Sequence, residues 1–236
     1  MHTFELICEI SREAYCYLEQ NLPSLSSKKE FVKRTNYYSK KGIEQIELIA
    51  HIEYDKKNHQ KKIIWQSYYL VLRCNPSIIM GDSKVFLLDM DKYTADEIIK
   101  GFFKRIYEIN EFRYIRLHKF KISDFKIRRV DIAKDILVKN PAIIVWLCNM
   151  SFPYKHCQMT RNLFHKDRDI LYYESCYFSN KSRTVNFYNK HAEIINNRKE
   201  TDADEQEEIK KLVRFEIQIK KKVFPIFLIS IVLKDP

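Results

Sequence analysis

The residues of this chain whose types could do chemistry fall into three stretches, and their spacing gathers them on one side of extended backbone. Successive side chains of a strand point to opposite faces. In Lys126–Asp135, read as a strand, Val130 and Ile132 share one face, while Arg129, Asp131, Ala133 and Asp135 share the other. In Thr184-Val-Asn-Phe-Tyr188-Asn-Lys190, Val185 and Phe187 oppose Asn186, Tyr188 and Lys190. In Val213–Lys220, Val213, Phe215, Ile217 and Ile219 oppose Arg214, Glu216, Gln218 and Lys220. In one sheet, the second face of each strand would bring Asp131, Asp135 and Glu216 beside Tyr188 and Lys190. Carboxylates so placed repel unless a cation lies among them, and Mg²⁺ or Mn²⁺ suits oxygen ligands. A tyrosine titrates at about 10, so a metal or an ammonium such as Lys190 must favour its phenolate for it to act as a nucleophile. Such a set suits attack on a phosphodiester whose oxygens a metal polarises. The same alternation also marks any half-exposed antiparallel strand, with Asp131 and Glu216 pairing to Arg129 and Arg214 across strands. The pattern alone leaves both readings open.

Those strands need neighbours. Phe4, Ile7, Cys8, Tyr15, Leu18 and Leu22 recur at helical spacing, which predicts an N-terminal helix over Phe4–Leu22, ended by Pro23 and the serines that follow. A basic link, 28–41, comes next. Ile43–Tyr54 and Ile63–Cys74 predict a hairpin around the polar residues 55–62, stopped by Asn75-Pro76-Ser77. Val85–Met90 reads as a short strand. Thr94 and Glu97 fit a capping box at the head of a helix over Ala95–Ile109. Lys119–Ile136 reads as a strand, and Asn140-Pro141 as the cap and first residue of a helix reaching Met150. Tyr172–Phe178 and Arg183–Lys190 read as paired strands, and Leu212–Lys220 as another. Hairpin-linked strands with helices between them predict an α+β fold, an antiparallel sheet with flanking helices. No linker or repeat is evident, so 1–236 is read as a single domain.

Composition bounds the function. The 236 residues are 45% hydrophobic, enough to bury a core and to exclude wholesale disorder. Lys and Arg number 42 against 31 acids, and a net charge of +11 attracts polyanions. A lysine-rich composition bias would give the same sum. The most basic stretch holds Arg116, Lys119, Lys121, Lys126, Arg128 and Arg129, interleaved with Phe120 and Phe125. It suits a DNA backbone, or an edge strand guarded by lysines; Arg214 is a further candidate DNA contact. Tyr37 and Tyr38, among Lys33, Arg34, Lys40 and Lys41, suit base stacking or core packing equally. Six scattered cysteines without a C-x-x-C pair argue against a zinc module. Three glycines exclude a glycine-rich phosphate loop. The start is not a signal peptide, which with the free thiols points to a reducing cytoplasm. The apolar Phe224–Leu233 is about half of a membrane span, so no membrane partner is expected.

Three blocks carry a resemblance. Arg129-Val-Asp131-Ile-Ala-Lys-Asp135, then Phe187-Tyr188-Asn-Lys190, then Arg214-Phe-Glu216-Ile-Gln-Ile-Lys220 resemble the R-x-D-x-x-x-D, F-Y-x-K and R-F/Y-E-x-x-x-K blocks of rolling-circle replication initiators. The likeness is to the plasmid trans-acting type and to related phage-like proteins, over roughly 40–222, and Tyr69–Ser77 resembles an upstream block of the latter. The resemblance implies a nicking-initiator fold and a metal-dependent endonuclease that cuts one strand at an origin and stays joined to the 5′ phosphate. It implies Tyr188 as nucleophile, Lys190 as its helper, and Asp131, Asp135 and Glu216 as ligands of Mg²⁺ or Mn²⁺. The seven histidines form no His-hydrophobic-His pair, which matches the branch with acidic ligands. The chain stops 16 residues after Lys220, where such proteins usually continue, so a C-terminally truncated copy, and with it an inactive one, is part of the expectation. Expected partners are origin DNA, single-stranded or supercoiled, a host helicase and a second copy of the chain. The alternatives are a catalytically silent DNA-binding protein of a mobile element and an RNA-binding α+β module that uses the polar face as a platform.

Overall fold

A computed structural model describes residues 2–29, 31–54, 63–82, 86–89, 91–151, 160–164, 175–179, 183–196 and 207–220. The fold is α+β, with antiparallel strands and flanking helices. Its contacts divide the chain into two compact units, and the division falls inside a strand, between Arg129 and Val130.

The first unit is built from Thr3–Lys84 and Leu88–Arg129. It holds β1 (Thr3–Ile10), α1 (Arg12–Asn21), β2 (Ser26–Lys29), β3 (Val32–Thr35), β4 (Ile43–Tyr54) and β5 (Ile63–Cys74). Then come α2 (Pro76–Met80), α3 (Ala95–Tyr107), α4 (Asn110–Tyr114) and the start of β6 (Lys126–Leu137). Its strands lie in the order β2-β3-β4-β5-β1-β6. The expected hairpin forms as β4 against β5, with Leu48 opposite Leu70 and Ile46 opposite Leu72. Leu6, Cys8 and Ile10 of β1 join those residues in a core closed by Leu18 of α1, Phe102 and Ile106 of α3, and Phe112 of α4. The Thr94 capping box is present: its hydroxyl accepts from the Glu97 amide, and the Glu97 carboxylate accepts from Thr94 N at 2.8 Å.

Three expectations need correction here. Phe4–Leu22 is not one helix. Leu6, Cys8 and Ile10 alternate into the core as a strand, and Ser11, whose side chain accepts from Ala14 N at 3.1 Å, caps a shorter helix behind it. The strand read over Lys119–Ile136 begins only at Lys126, because the Asp124 carboxylate accepts from Lys121 N at 2.8 Å and winds Ile122–Asp124 into a 3-10 turn. Phe86–Asp89 carry no strand, and Val85 and Met90 lie outside the described residues.

The second unit is Val130–Val223 with Met1–His2 and Val85–Leu87. It continues β6 and adds α5 (Pro141–Ser151), β7 (Thr160–Phe164), β8 (Ser175–Ser179), β9 (Arg183–Asn189), α6 (Lys190–Asn196) and β10 (Leu212–Lys220). Its strand order is β6-β10-β9-β8-β7. Val145 of α5 packs on Phe178, Val185 and Val213, one from each of three neighbouring strands, with Phe187, Phe215 and Ile217 alongside. The expected strand Tyr172–Phe178 is described only from Ser175. Lys190 opens a helix instead of ending a strand, since the Asn189 side chain accepts from His191 N at 3.0 Å and turns the backbone. No helix among the described residues is long and apolar enough to cross a membrane.

Candidate active site

The site lies wholly within the second unit, on the face of β6, β9 and β10 opposite the Val145 cluster. Val138 N–H donates to Lys211 O at 2.7 Å, and Asp135 meets Arg214. Three residues forward on β6 are thus three residues back on β10, so these strands are antiparallel. Across the next pairing, Arg214 stands opposite Tyr188 and Glu216 opposite Asn186. Alternation therefore puts Asp131, Asp135, Tyr188, Arg214 and Glu216 on one face.

That face is polar and also buried. Arg214 is 0% exposed, Asp131 1% and Tyr188 7%. On β6 the other face is the more open one: Val130 is buried, but Ile132, which shares its face, is 40% exposed. Buried polar groups survive only when paired, and these are. The Arg214 guanidinium grips Asp135 with two bonds of 2.6 Å, from Nε to Oδ1 and from a terminal nitrogen to Oδ2. The Tyr188 hydroxyl donates to Glu216 Oε2 at 3.3 Å, and Gln218 donates to Glu216 Oε1 at 3.0 Å. Lys190 is buried, bonds Glu193 at 2.7 Å and stands 5.8 Å from the centre of the Tyr188 ring.

The electrostatics follow from burial. Desolvation pushes the Tyr188 phenol well above its ordinary value; the Arg214 charge pulls it down, while Glu216 and Glu193 add to the rise. The resting side chain is a neutral phenol. For Arg214, burial works against the charge, but the bonds to Asp135 and the neighbouring Tyr188 outweigh it and hold the guanidinium cationic.

The sequence-derived residues are thus brought together, with altered partnerships. Asp135 is occupied by Arg214. Arg214 itself is sealed in the site and does not lie on an open surface. Of the other basic residues, Arg116, Lys119, Lys121 and Lys126 are exposed. Arg128 pairs with the buried Glu47, and Arg129 reaches Glu5 at 3.4 Å. His2 was not singled out by the sequence, having no partner spacing to mark it. Its backbone N–H donates to Asp131 O at 2.9 Å, and its Nε2 lies 4.0 Å from Glu216 Oε2.

Among the described residues, no three His, Cys, Asp or Glu side chains converge closely enough to hold a metal ion. Mg²⁺ nevertheless needs only one or two carboxylates when water and substrate phosphate fill its remaining positions. Asp131 and Glu216, both buried and on one face, would be the carboxylates to meet that requirement, Glu216 accepting from the neutral donors Tyr188 and Gln218; Asp135, whose two oxygens are held by the Arg214 cation, would not.

A search among curated proteins finds no match. A family model, that of the N-terminal region of a phage replication-associated protein, matches residues 91–233, which include every strand and carboxylate of the site. With more than half of its length matched, the chain belongs to this family of rolling-circle replication initiators.

Proposed function

We propose that the protein nicks one strand of origin DNA through Tyr188 and keeps the 5′ phosphate as a phosphotyrosine. The observation that carries this reading is the hydrogen bond from the Tyr188 hydroxyl to Glu216 Oε2, with Arg214 directly across the strand pair. In the reaction Glu216 takes the phenol proton as general base. Tyr188 Oη bonds to phosphorus, the P–O3′ bond breaks, and the 3′ oxygen leaves with a proton drawn from solvent. Arg214, fixed by Asp135, stabilises negative charge on the attacking oxygen in a water-poor setting. Mg²⁺ or Mn²⁺ held by Asp131, with water and substrate phosphate completing its shell, would supply polarisation of the scissile phosphate. Lys190, beside the ring and tied to Glu193, holds positive charge near the same point.

The burial of Tyr188 favours a second reading, a DNA-binding protein of a mobile element that no longer cuts. A covalent-adduct assay separates the two. The protein is mixed with supercoiled DNA or single-stranded origin oligonucleotides and Mg²⁺ or Mn²⁺, then denatured. Nicking predicts a denaturant-resistant protein–DNA band that disappears with Tyr188→Phe and with EDTA. DNA bound without any such band selects the silent reading.

A further inference from the structure

The first unit carries an aromatic and cationic surface that the nicking chemistry does not use. Lys100, Lys104 and Tyr107 fall at i, i+4 and i+7 of α3, which places them on one stripe, and all three are exposed. Tyr107 is 51% exposed; the Arg113 guanidinium stands 5.6 Å from its ring centre, and His118 meets it edge-on at 5.2 Å. Farther along the chain, Tyr114 is 68% exposed although one of its faces is covered by Tyr17, stacked at 3.9 Å with 13° between the planes. Its other face is open. Tyr37, also exposed, leans edge-on against Tyr38, whose hydroxyl donates to Glu111 of α4 at 2.7 Å.

Rings this open do not contribute to the core, and exposed aromatic surface of this kind matches the faces of unstacked bases. The charge around them matches a phosphate backbone. Arg116 and Lys119 are exposed and pair with no carboxylate among the described residues. The acids nearby are engaged: Glu108 with Arg105 at 3.1 Å, Glu111 with Tyr38, and Asp124 with the Lys121 amide. Single strands bind where aromatic rings stack on successive bases beside cations that follow the phosphates. Duplex DNA keeps its bases stacked and cannot use such rings.

We infer that the Tyr107–Tyr114 surface of α3 and α4, with Arg113, Arg116 and Lys119, is a holding site for single-stranded DNA, separate from the Tyr188 site. The choice of DNA rests on the family's role in replication and not on cleavage by Tyr188. The test uses the full chain carrying Tyr188→Phe, so that binding is read whether or not the protein nicks. Fluorescence anisotropy of a labelled mixed-sequence oligonucleotide gives affinity against salt. Tyr107→Ala with Tyr114→Ala should weaken single-strand binding by about ten-fold or more per ring, leave duplex binding nearly unchanged, and be rescued by Tyr107→Phe with Tyr114→Phe. Arg116→Gln with Lys119→Gln should lower the slope of log affinity on log salt by about 0.7 per charge removed. Circular dichroism checks that each variant is folded. Unchanged single-strand affinity in the alanine pair overturns the inference. So does an equal loss for duplex, a phenylalanine pair as weak as the alanine pair, or tighter binding of the matching RNA oligonucleotide than of DNA.

Discussion

Asp135 and Arg214 are the residues whose pairing most changes the view of the site. An arginine fork on a carboxylate is planar and two-pronged, which a lysine cannot reproduce. Both groups are largely withdrawn from water, and removing one partner strands the other. Breaking a buried pair in this way costs roughly 3 to 5 kcal/mol. Arg214→Met should therefore lower unfolding free energy by about that amount in a denaturant titration. Arg214→Lys should lose less stability yet still lose most adduct formation, because the charge remains while its aim at Tyr188 does not. A lysine variant that nicks at the parental rate would remove Arg214 from the mechanism. The sequence showed Asp135 and Arg214 on like-facing positions but could not pair them, since pairing depends on the register of β6 against β10. For the same reason Asp135 read as a metal ligand and Arg214 as a DNA contact.

At the scale of elements, two glycines end short helical turns in the same left-handed conformation, with φ of +84° at Gly42 and +85° at Gly81. Their surroundings differ. A Cβ on Gly42 would meet Ile79 Cγ1 at 2.7 Å and Ile79 N at 2.9 Å, whereas one on Gly81 meets nothing within 4 Å. Gly81→Ala should cost only the conformational penalty of about 1 kcal/mol. Gly42→Ala must also displace α2 backbone, so its denaturation midpoint should fall well below that of Gly81→Ala; equal midpoints would mean that α2 yields freely. Asn75-Pro76 read only as a stop to β5 and in the fold also caps α2, whereas the Thr94 box and the β4–β5 hairpin were legible, because each is written in residues close together in the sequence. β1 was not. Phe4, Ile7 and Cys8 supply helical spacing while Phe4, Leu6, Cys8 and Ile10 alternate, and only the packing of Leu6, Cys8 and Ile10 into the core decides between them. The three site strands were legible by alternation, and which of their faces would be covered was not. On β6 the charged face is the buried one: Asp135 is paired with Arg214 of β10 and Arg129 with Glu5 of β1, both partners distant in sequence.

For the molecule as a whole, folding withdraws several weak acids from water, and this sets its response to alkali. Burial pushes the Cys8 thiol up to about 12 from 9.0 and the Tyr15 phenol up to about 12 from 10.0. Cys74, Tyr38 and Tyr188 are raised as well, desolvation being the first cause of each. In the unfolded chain these groups release their protons near their ordinary values, while the folded chain still holds them. Between those values the folded state binds more protons, so stability falls as pH rises. The stabilisation is complete below about pH 9 and is lost progressively as pH climbs toward 12. Denaturant midpoints measured across that range should decline steadily, and Tyr15→Phe, which removes one raised phenol, should decline less steeply than the parent. Parallel declines would mean that Tyr15 releases its proton as easily in the folded protein as in the unfolded chain, and that its place beside Leu18 in the core does not shield it from water.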